Sequence, residues 1–376
     1  NLPKPEDWQI ALRETPTYGN LVPAIISEVK PQALVVKTEF AETVEIAWEN
    51  GLKGLRRYIS PSNRSAPIKT ADELFSVGDL IRIRQQQESW QLGQLPKAQA
   101  AIVALDPENG AIQALIGGYD FRQSNFNRAT QAERQPGSNF KPFIYTIALE
   151  NGFTPASIIN DAPVVFDDGS LEKSWRPEND GGKFFGPTRL RKALYLSRNL
   201  VSIRLMRSIG INKAINGLKR FGFDESKLPR DLSLALGSHA VTPLQIVTGY
   251  AAPNAPRIIE PDVAYIMDSI LKDVIVKGTG RRALALKRTD LAGKTGTTNG
   301  PKDAWFSGYS PHIVATAWLG FDQNLLLGRN EYGGSAALPI WMDFMRVALA
   351  DKPEISRPQP DDGSGSSQGP RPEDLF

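Results

Sequence analysis

The chain has 376 residues, 41% of them hydrophobic and 23% charged, enough to bury a proper core and to hold two domains. A formal net charge of +3 is too small to argue for nucleic acid or an anionic membrane as a partner. Cysteine is absent, which excludes disulfides and thiol chemistry, and with only His239 and His312 present a histidine-dependent serine triad finds little support.

Residues 1–14 read as a linker, or as a strand returning to the main domain. From there to residue 98 the texture is β-rich. Leu21 to Ile26, Ala33 to Thr38, Val44 to Trp48 and Leu80 to Arg84 are short apolar runs between polar turns, at the spacing of a small barrel. The phrase Phe75-Ser76-Val77-Gly78-Asp79-Leu80-Ile81-Arg82-Ile83 resembles a strand of OB-like domains. Such a barrel suits a spacer or protein-docking module, or a glycan-binding one; aromatic and basic residues are too sparse for nucleic acid.

The next feature is Ser138-Asn139-Phe140-Lys141. Pro136-Gly137 punctuates the chain, and the run that follows stops at Asn151-Gly152. A turn signal, a proline early in the first turn and an Asn-Gly stop predict a helix beginning at or beside Ser138. Lys141 at i+3 then shares a helical face with Ser138, which juxtaposes a nucleophile and a base. Ser-x-x-Lys also occurs at Ser27/Lys30, Ser170/Lys173 and Ser269/Lys272, but in an alternating apolar stretch, a polar turn and an apolar run respectively. To act as a base near neutrality, Lys141 must titrate about three units below the ordinary 10.4, roughly 4 kcal/mol of differential interaction. Burial and a second cation, which Lys294 can supply, both push that way. The sequence leaves open whether Lys141 takes the serine proton directly; it is the expected base.

Ser197-Arg198-Asn199 follows, between two stretches of helical periodicity, Leu190 to Leu196 and Val201 to Ile209. Residues i and i+2 do not share a helical face, so Ser197 and Asn199 reach one cleft only if the chain turns there. A short loop between two helices is predicted. Lys294-Thr295-Gly296-Thr297 reads as a strand at which Gly296 lets a substrate backbone approach closely. Lys294 offers charge, and Thr295 and Thr297 offer hydroxyls, to a terminal carboxylate. Ala304 to Tyr309 and Ile313 to Leu319, joined by Ser310-Pro311-His312, read as a hairpin, so an antiparallel sheet is expected. Asp351 to Phe376 is rich in proline, glycine and serine and reads as a flexible tail.

Ser-x-x-Lys, Ser-x-Asn and Lys-Thr-Gly in this order form the signature of active-site serine enzymes that acylate themselves on penicillins. The flanking blocks narrow the likeness. Gly118 to Phe121, Phe126 to Ala132, Arg134 to Lys141, Trp175-Arg176-Pro177-Glu178-Asn179, Leu234 to Ser238, Gly278 to Arg281 and Asp303 to Phe306 resemble the transpeptidase domain of class A penicillin-binding proteins, a likeness running from about Gln99 to Ala350. The resemblance implies an α+β fold: a central antiparallel sheet flanked by helices with a helical subdomain (99–352), after a linker (1–14) and the OB-like domain (15–98), and before a flexible tail (353–376).

What the resemblance implies for function can be laid onto the residues. Ser138 would attack the penultimate carbonyl of a D-Ala-D-Ala stem peptide to form an acyl-enzyme, with Lys141 as base. Ser197, helped by Lys294, would relay a proton to the leaving group, and Asn199 would hold the substrate amide. Lys294, Thr295 and Thr297 would bind the carboxylate beside Gly296, and the backbone N–H groups of Ser138 and Thr297 would form the oxyanion hole. An acceptor amine would then make the cross-link, and β-lactams would stall the enzyme as covalent inhibitors. Further implied are cell-wall protein partners for the OB-like domain, and a periplasmic location with a membrane helix and a glycosyltransferase domain outside this chain.

Departures qualify the likeness. The centre of Ser-x-Asn is Arg198 where the general pattern has Asp. No His-Glu-x-x-His, phosphate-binding glycine loop or paired metal ligands occur, so neither metal nor cofactor is expected. After Ala251 the family's usual Asn-Gly-Gly loop is missing, so spacings across residues 251–256 carry no argument. A serine β-lactamase or a penicillin sensor would share the three motifs. A glutamate-led deacylation motif is not evident, which lowers the β-lactamase reading. A scaffold acting through the OB-like domain is a third alternative.

Overall fold

A computed structural model describes residues 4–60, 63–164, 175–251, 258–298 and 300–356. The chain divides into two compact units, one of residues 1–99 and 118–126, the other of residues 100–117 and 127–376.

In the first unit, β1 (Val22–Lys30), β2 (Ala33–Lys37), β3 (Thr43–Ala47), β4 (Leu80–Gln86) and β5 (Ser89–Gly93) form one antiparallel sheet in the order β3-β2-β1-β4-β5. Its end strands β3 and β5 approach one another, so the sheet curls toward a barrel. Ile26, Leu34, Val36, Ile46 and Ile83 fill its core. Where the sequence suggests a linker or a strand, Trp8–Glu14 form a helix, α1. Leu12 is fully buried and clusters with Trp8 and Ile25, so tertiary packing stabilises a segment too short to be helical alone.

The second unit is built on β6 (Gln99–Leu105), β7 (Ile112–Ile116), β8 (Ala292–Thr297), β9 (Asp303–Ser310) and β10 (Ile313–Gly320), in the antiparallel order β8-β9-β10-β6-β7. Both faces of this sheet are covered. On β9, Trp305 joins the larger apolar core, while Ala304 and Phe306 join a second core with Trp341. That alternation is the strand period of two, and with both faces covered Asp303–Ser310 is buried almost throughout. Helix α2 (Leu338–Ala348) covers the second face, with Trp341 edge-on to Phe306 at 4.9 Å.

The larger core holds helix α3 (Lys141–Glu150), of which residues 141–148 are all buried. Around it lie α4 (Leu190–Tyr195), α5 (Asn199–Ile209), α6 (Ile211–Lys219), α7 (Pro243–Tyr250) and α8 (Pro261–Val276). A short ladder of β11 (Ile158–Asp161) and β12 (Gly186–Arg189) leads into α4. The hairpin between β9 and β10 closes on Pro311 and His312, with Ser310 paired to Ile313.

The expected tail differs at its start. Arg288 donates to the carbonyl oxygen of Pro353 at 3.1 Å, and Thr289 donates to Glu354, so this stretch is pinned to the domain. Residues 357–376, Ser170 with Lys173, and the departure at 252–256 lie outside the described residues.

Candidate active site

Gly137–Phe140 form a 3-10 turn that runs directly into α3, so Ser138 lies half-buried one turn ahead of the fully buried Lys141. The helix expected from Ser138 onward is thus tight for its first turn and α-helical from Lys141. The turn is fixed from three sides. Asn139, fully buried, donates from Nδ2 to Ser307 Oγ at 2.9 Å and accepts from the Tyr250 hydroxyl at 2.8 Å. Trp305 Nε1 donates to the Gln135 carbonyl at 2.8 Å, and the N–H of Gly137 donates to the carbonyl of Gly237.

Glycine is required at this junction. Gly137 has φ +55°, and a Cβ there would lie 2.4 Å from the carbonyl oxygen of Thr297. A Cβ on Gly296 would lie 2.4 Å from the carbonyl oxygen of Pro136. The nucleophile turn is therefore packed backbone to backbone against the Lys-Thr-Gly strand, β8.

Between α4 and α5 the chain breaks as predicted, although Asn199 is already the first residue of α5. Ser197 has φ +59°, a left-handed conformation uncommon for a non-glycine residue and characteristic of functional sites. Three groups meet there. Lys141 Nζ donates to the Ser197 carbonyl at 2.8 Å and to Asn199 Oδ1 at 2.7 Å, and lies 3.4 Å from Ser197 Oγ. Lys294, also fully buried, donates to Ser197 Oγ at 2.9 Å and to the Thr295 carbonyl at 3.0 Å. The Ser197 hydroxyl thus joins two lysines.

Two buried ammonium groups around one hydroxyl are costly, and the cost falls on the charged forms. Burial, and then the nearby Lys294 charge, hold Lys141 well below the ordinary lysine value, with Arg198 adding in the same direction and Asp161 opposing. Burial lowers Lys294 to about 7. The carbonyl of Ser197 and Oδ1 of Asn199 can only accept, so they occupy two hydrogens of Lys141. A neutral amine held this way keeps its lone pair for a hydroxyl.

Just past the end of β8, the N–H of Thr298 donates to the carbonyl of Asp303, which makes the 298/303 and 296/305 pairs the hydrogen-bonded ones. Thr297 then points its own N–H away from β9, off the free edge of the sheet. The Thr295 and Thr279 hydroxyls are 2.6 Å apart, and Thr297 Oγ1 accepts from the N–H of Gly333 at 3.0 Å. Ser138, Ser197, Asn199, Thr295 and Thr297 all line one cleft of about 1120 Å³.

The other described Ser-x-x-Lys pairs do not share this setting. Ser27 and Lys30 lie on β1, and Lys30 is paired with Glu45. Ser269 Oγ accepts from Arg191, and Lys272 is paired with Asp268. Several residues around the cleft carry no local signature of their role: Asn139, Tyr250, Asn179, Asp161 and Thr279 make their contacts across long stretches of sequence. The only signal for Asn179 and Thr279 is that they fall in the blocks Trp175 to Asn179 and Gly278 to Arg281.

A protein-family model for the penicillin-binding protein transpeptidase domain matches residues 100–346, and one for the penicillin-binding protein OB-like domain matches residues 1–98. Among curated proteins, penicillin-binding protein 1A of Pseudomonas aeruginosa is 41% identical over 432 aligned residues, covering 94% of this chain and 52% of the relative. Penicillin-binding protein 1A of Neisseria lactamica is 40% identical, covering 92% of this chain and 47% of the relative. The chain therefore spans about half the length of the curated relatives it matches. Among solved structures, penicillin-binding protein 1A from Haemophilus influenzae superposes with a TM-score of 0.83 at 31% identity, covering 95% of this chain and 61% of that one. The PonA1 protein from Mycobacterium tuberculosis, solved in complex with penicillin V, gives a TM-score of 0.63 at 25% identity, covering 74% of this chain and 86% of that one.

Proposed function

The chain belongs to the penicillin-binding protein transpeptidase family, and from that premise we propose that it is a peptidoglycan D,D-transpeptidase that works through a serine acyl-enzyme on D-Ala-D-Ala donors and is blocked by β-lactams. The observation that carries the reading is the Ser197 hydroxyl held between Lys141 and Lys294, with Lys141 one helical turn after Ser138.

Ser138 Oγ attacks the carbonyl carbon of the penultimate D-alanine while its proton passes to Lys141 Nζ. The oxyanion that forms lies between the N–H groups of Ser138 and Thr297, the second of which points off the sheet edge. The C–N bond breaks, and the departing nitrogen of the terminal D-alanine receives a proton through the Ser197 hydroxyl, replenished from the lysine beside it. An acceptor amine then attacks the ester, gives its proton back along the same route and restores the Ser138 hydroxyl. Asn199 orients the donor amide, and Lys294, Thr295 and Thr297 receive its carboxylate, with Gly296 leaving room for the donor backbone.

By this reading the catalytic domain acts outside the cytoplasmic membrane. Among the described residues no helix is long and apolar enough to cross a membrane. Docking of cell-wall proteins is the role proposed for the OB-like domain. The test supplies a stem peptide ending in D-Ala-D-Ala together with an acceptor amine. Stoichiometric release of D-alanine with a cross-linked product is expected; absence of both overturns the reading.

A further inference from the structure

Helix α5 begins at Asn199, yet the side chain of Arg198, the residue at its N-cap, makes no capping hydrogen bond. The orphan N–H groups of its first turn are met from elsewhere. Asn179 Oδ1 accepts from the N–H of Asn199 at 2.8 Å and from that of Leu200 at 3.4 Å. The neighbouring Glu178 carbonyl accepts from Asn199 Nδ2 at 2.8 Å. Asn179 is itself held: its Nδ2 donates to Asp161 Oδ1 at 2.7 Å and to the Lys183 carbonyl at 2.9 Å. All four hydrogen-bonding positions of this amide are filled, and the acceptor-only carboxylate fixes which way it faces.

Both partners are buried, Asp161 completely. Asp161 Oδ2 is buried with no hydrogen-bond partner among the described residues. A solitary buried carboxylate oxygen is expensive. The charged and titratable groups whose fields it meets are Lys141 and Tyr145 on α3 and Arg198 between α4 and α5; Lys141 also faces Lys294 on β8.

We propose that Asp161 and Asn179 are positioning residues for the acylation step: the carboxylate holds the amide, and the amide holds the start of α5 so that Ser197 and Asn199 meet Lys141. This rests on the acyl-enzyme reading above. Loosening the amide lets the Ser197 turn move, and a displacement of about 1 Å in such a constellation costs on the order of 100-fold in rate. Removing only the charge of Asp161 keeps the shape but takes away a group that favours the protonated form of Lys141.

The test follows acylation by a fluorescent penicillin against pH in the whole chain, for Asn179→Asp, Asp161→Asn and the two together. Asn179→Asp sets two carboxylates against one another and is expected to slow acylation at least tenfold. The double variant restores a donor-acceptor pair with its polarity reversed and recovers most of that loss. Asp161→Asn moves the ascending limb of the profile to lower pH by about half a unit or more. A purely structural pair would lower the melting temperature and leave that limb in place. Wild-type rates and an unmoved limb in all three variants overturn the proposal, as do losses that track only the unfolded fraction. Labelling of the wild type that vanishes in Ser138→Ala keeps the acyl-enzyme reading separate, since that reading fails where the wild type stays unlabelled or the label persists in Ser138→Ala.

Discussion

At the scale of single residues, the chemistry rests on one proton balance. Lys141 and Lys294 are both buried, which disfavours the charge of each, and the Lys294 charge makes that of Lys141 harder still to keep. A base must be neutral to accept, so acylation should rise with pH along a limb set by Lys141, well below an ordinary lysine. Lys294 is a cation beside Lys141 and disfavours its protonated form. Lys294→Gln takes that cation away, so the pKa of Lys141 rises and the limb moves to higher pH, against a large drop in absolute rate. Stopped-flow acylation across pH checks this; a limb that stays in place would show that Lys294 does not set the state of Lys141. This balance was legible in the sequence as a need, since Ser-x-x-Lys requires a shifted lysine and Lys294 is available to shift it. The partners that hold it were not. Asp161 and Asn179 are ordinary polar residues 36 and 20 positions before Ser197 and Asn199, counted along the chain, and only the fold brings them to α5, Asp161 at the end of β11 and Asn179 bonded to it.

At the scale of elements, the decisive contact is between the nucleophile turn and β8. Gly296 needs no unusual φ, yet a Cβ on it would press on the Pro136 carbonyl and the Asn139 side chain. Gly296→Ala should therefore leave the sheet register intact and push the Ser138 turn off the strand, lowering acylation on the order of 100-fold. Far-ultraviolet circular dichroism and acylation rates together check it; full activity would contradict the packing described. The strand, the hairpin and the break between α4 and α5 were readable because each has a local signature: the Lys-Thr-Gly-Thr run, two β-rich runs joined by a Ser-Pro-His turn, and helical periodicity interrupted at Ser197. Helix α1 was not, because Trp8–Glu14 has no long periodic pattern and owes its form to Leu12 packing on Ile25. Asn199 was expected in the loop and instead opens a helix, since its cap comes from residue 179, which no local spacing reveals.

At the scale of the whole molecule, two units with separate cores share one chain. With separate cores, the units are expected to give two transitions in calorimetry. Covalent penicillin is expected to move only the transition of the unit that holds the cleft, and equal shifts in both would contradict separate cores. Chemistry and family membership meet at Ser138. The most direct measurement is the intact mass of the chain after incubation with a penicillin. An acyl-enzyme at Ser138 predicts one long-lived adduct of a single drug mass that is absent in Ser138→Ala. An adduct that persists in Ser138→Ala, rapid turnover of the drug, or no adduct on the wild type would contradict it.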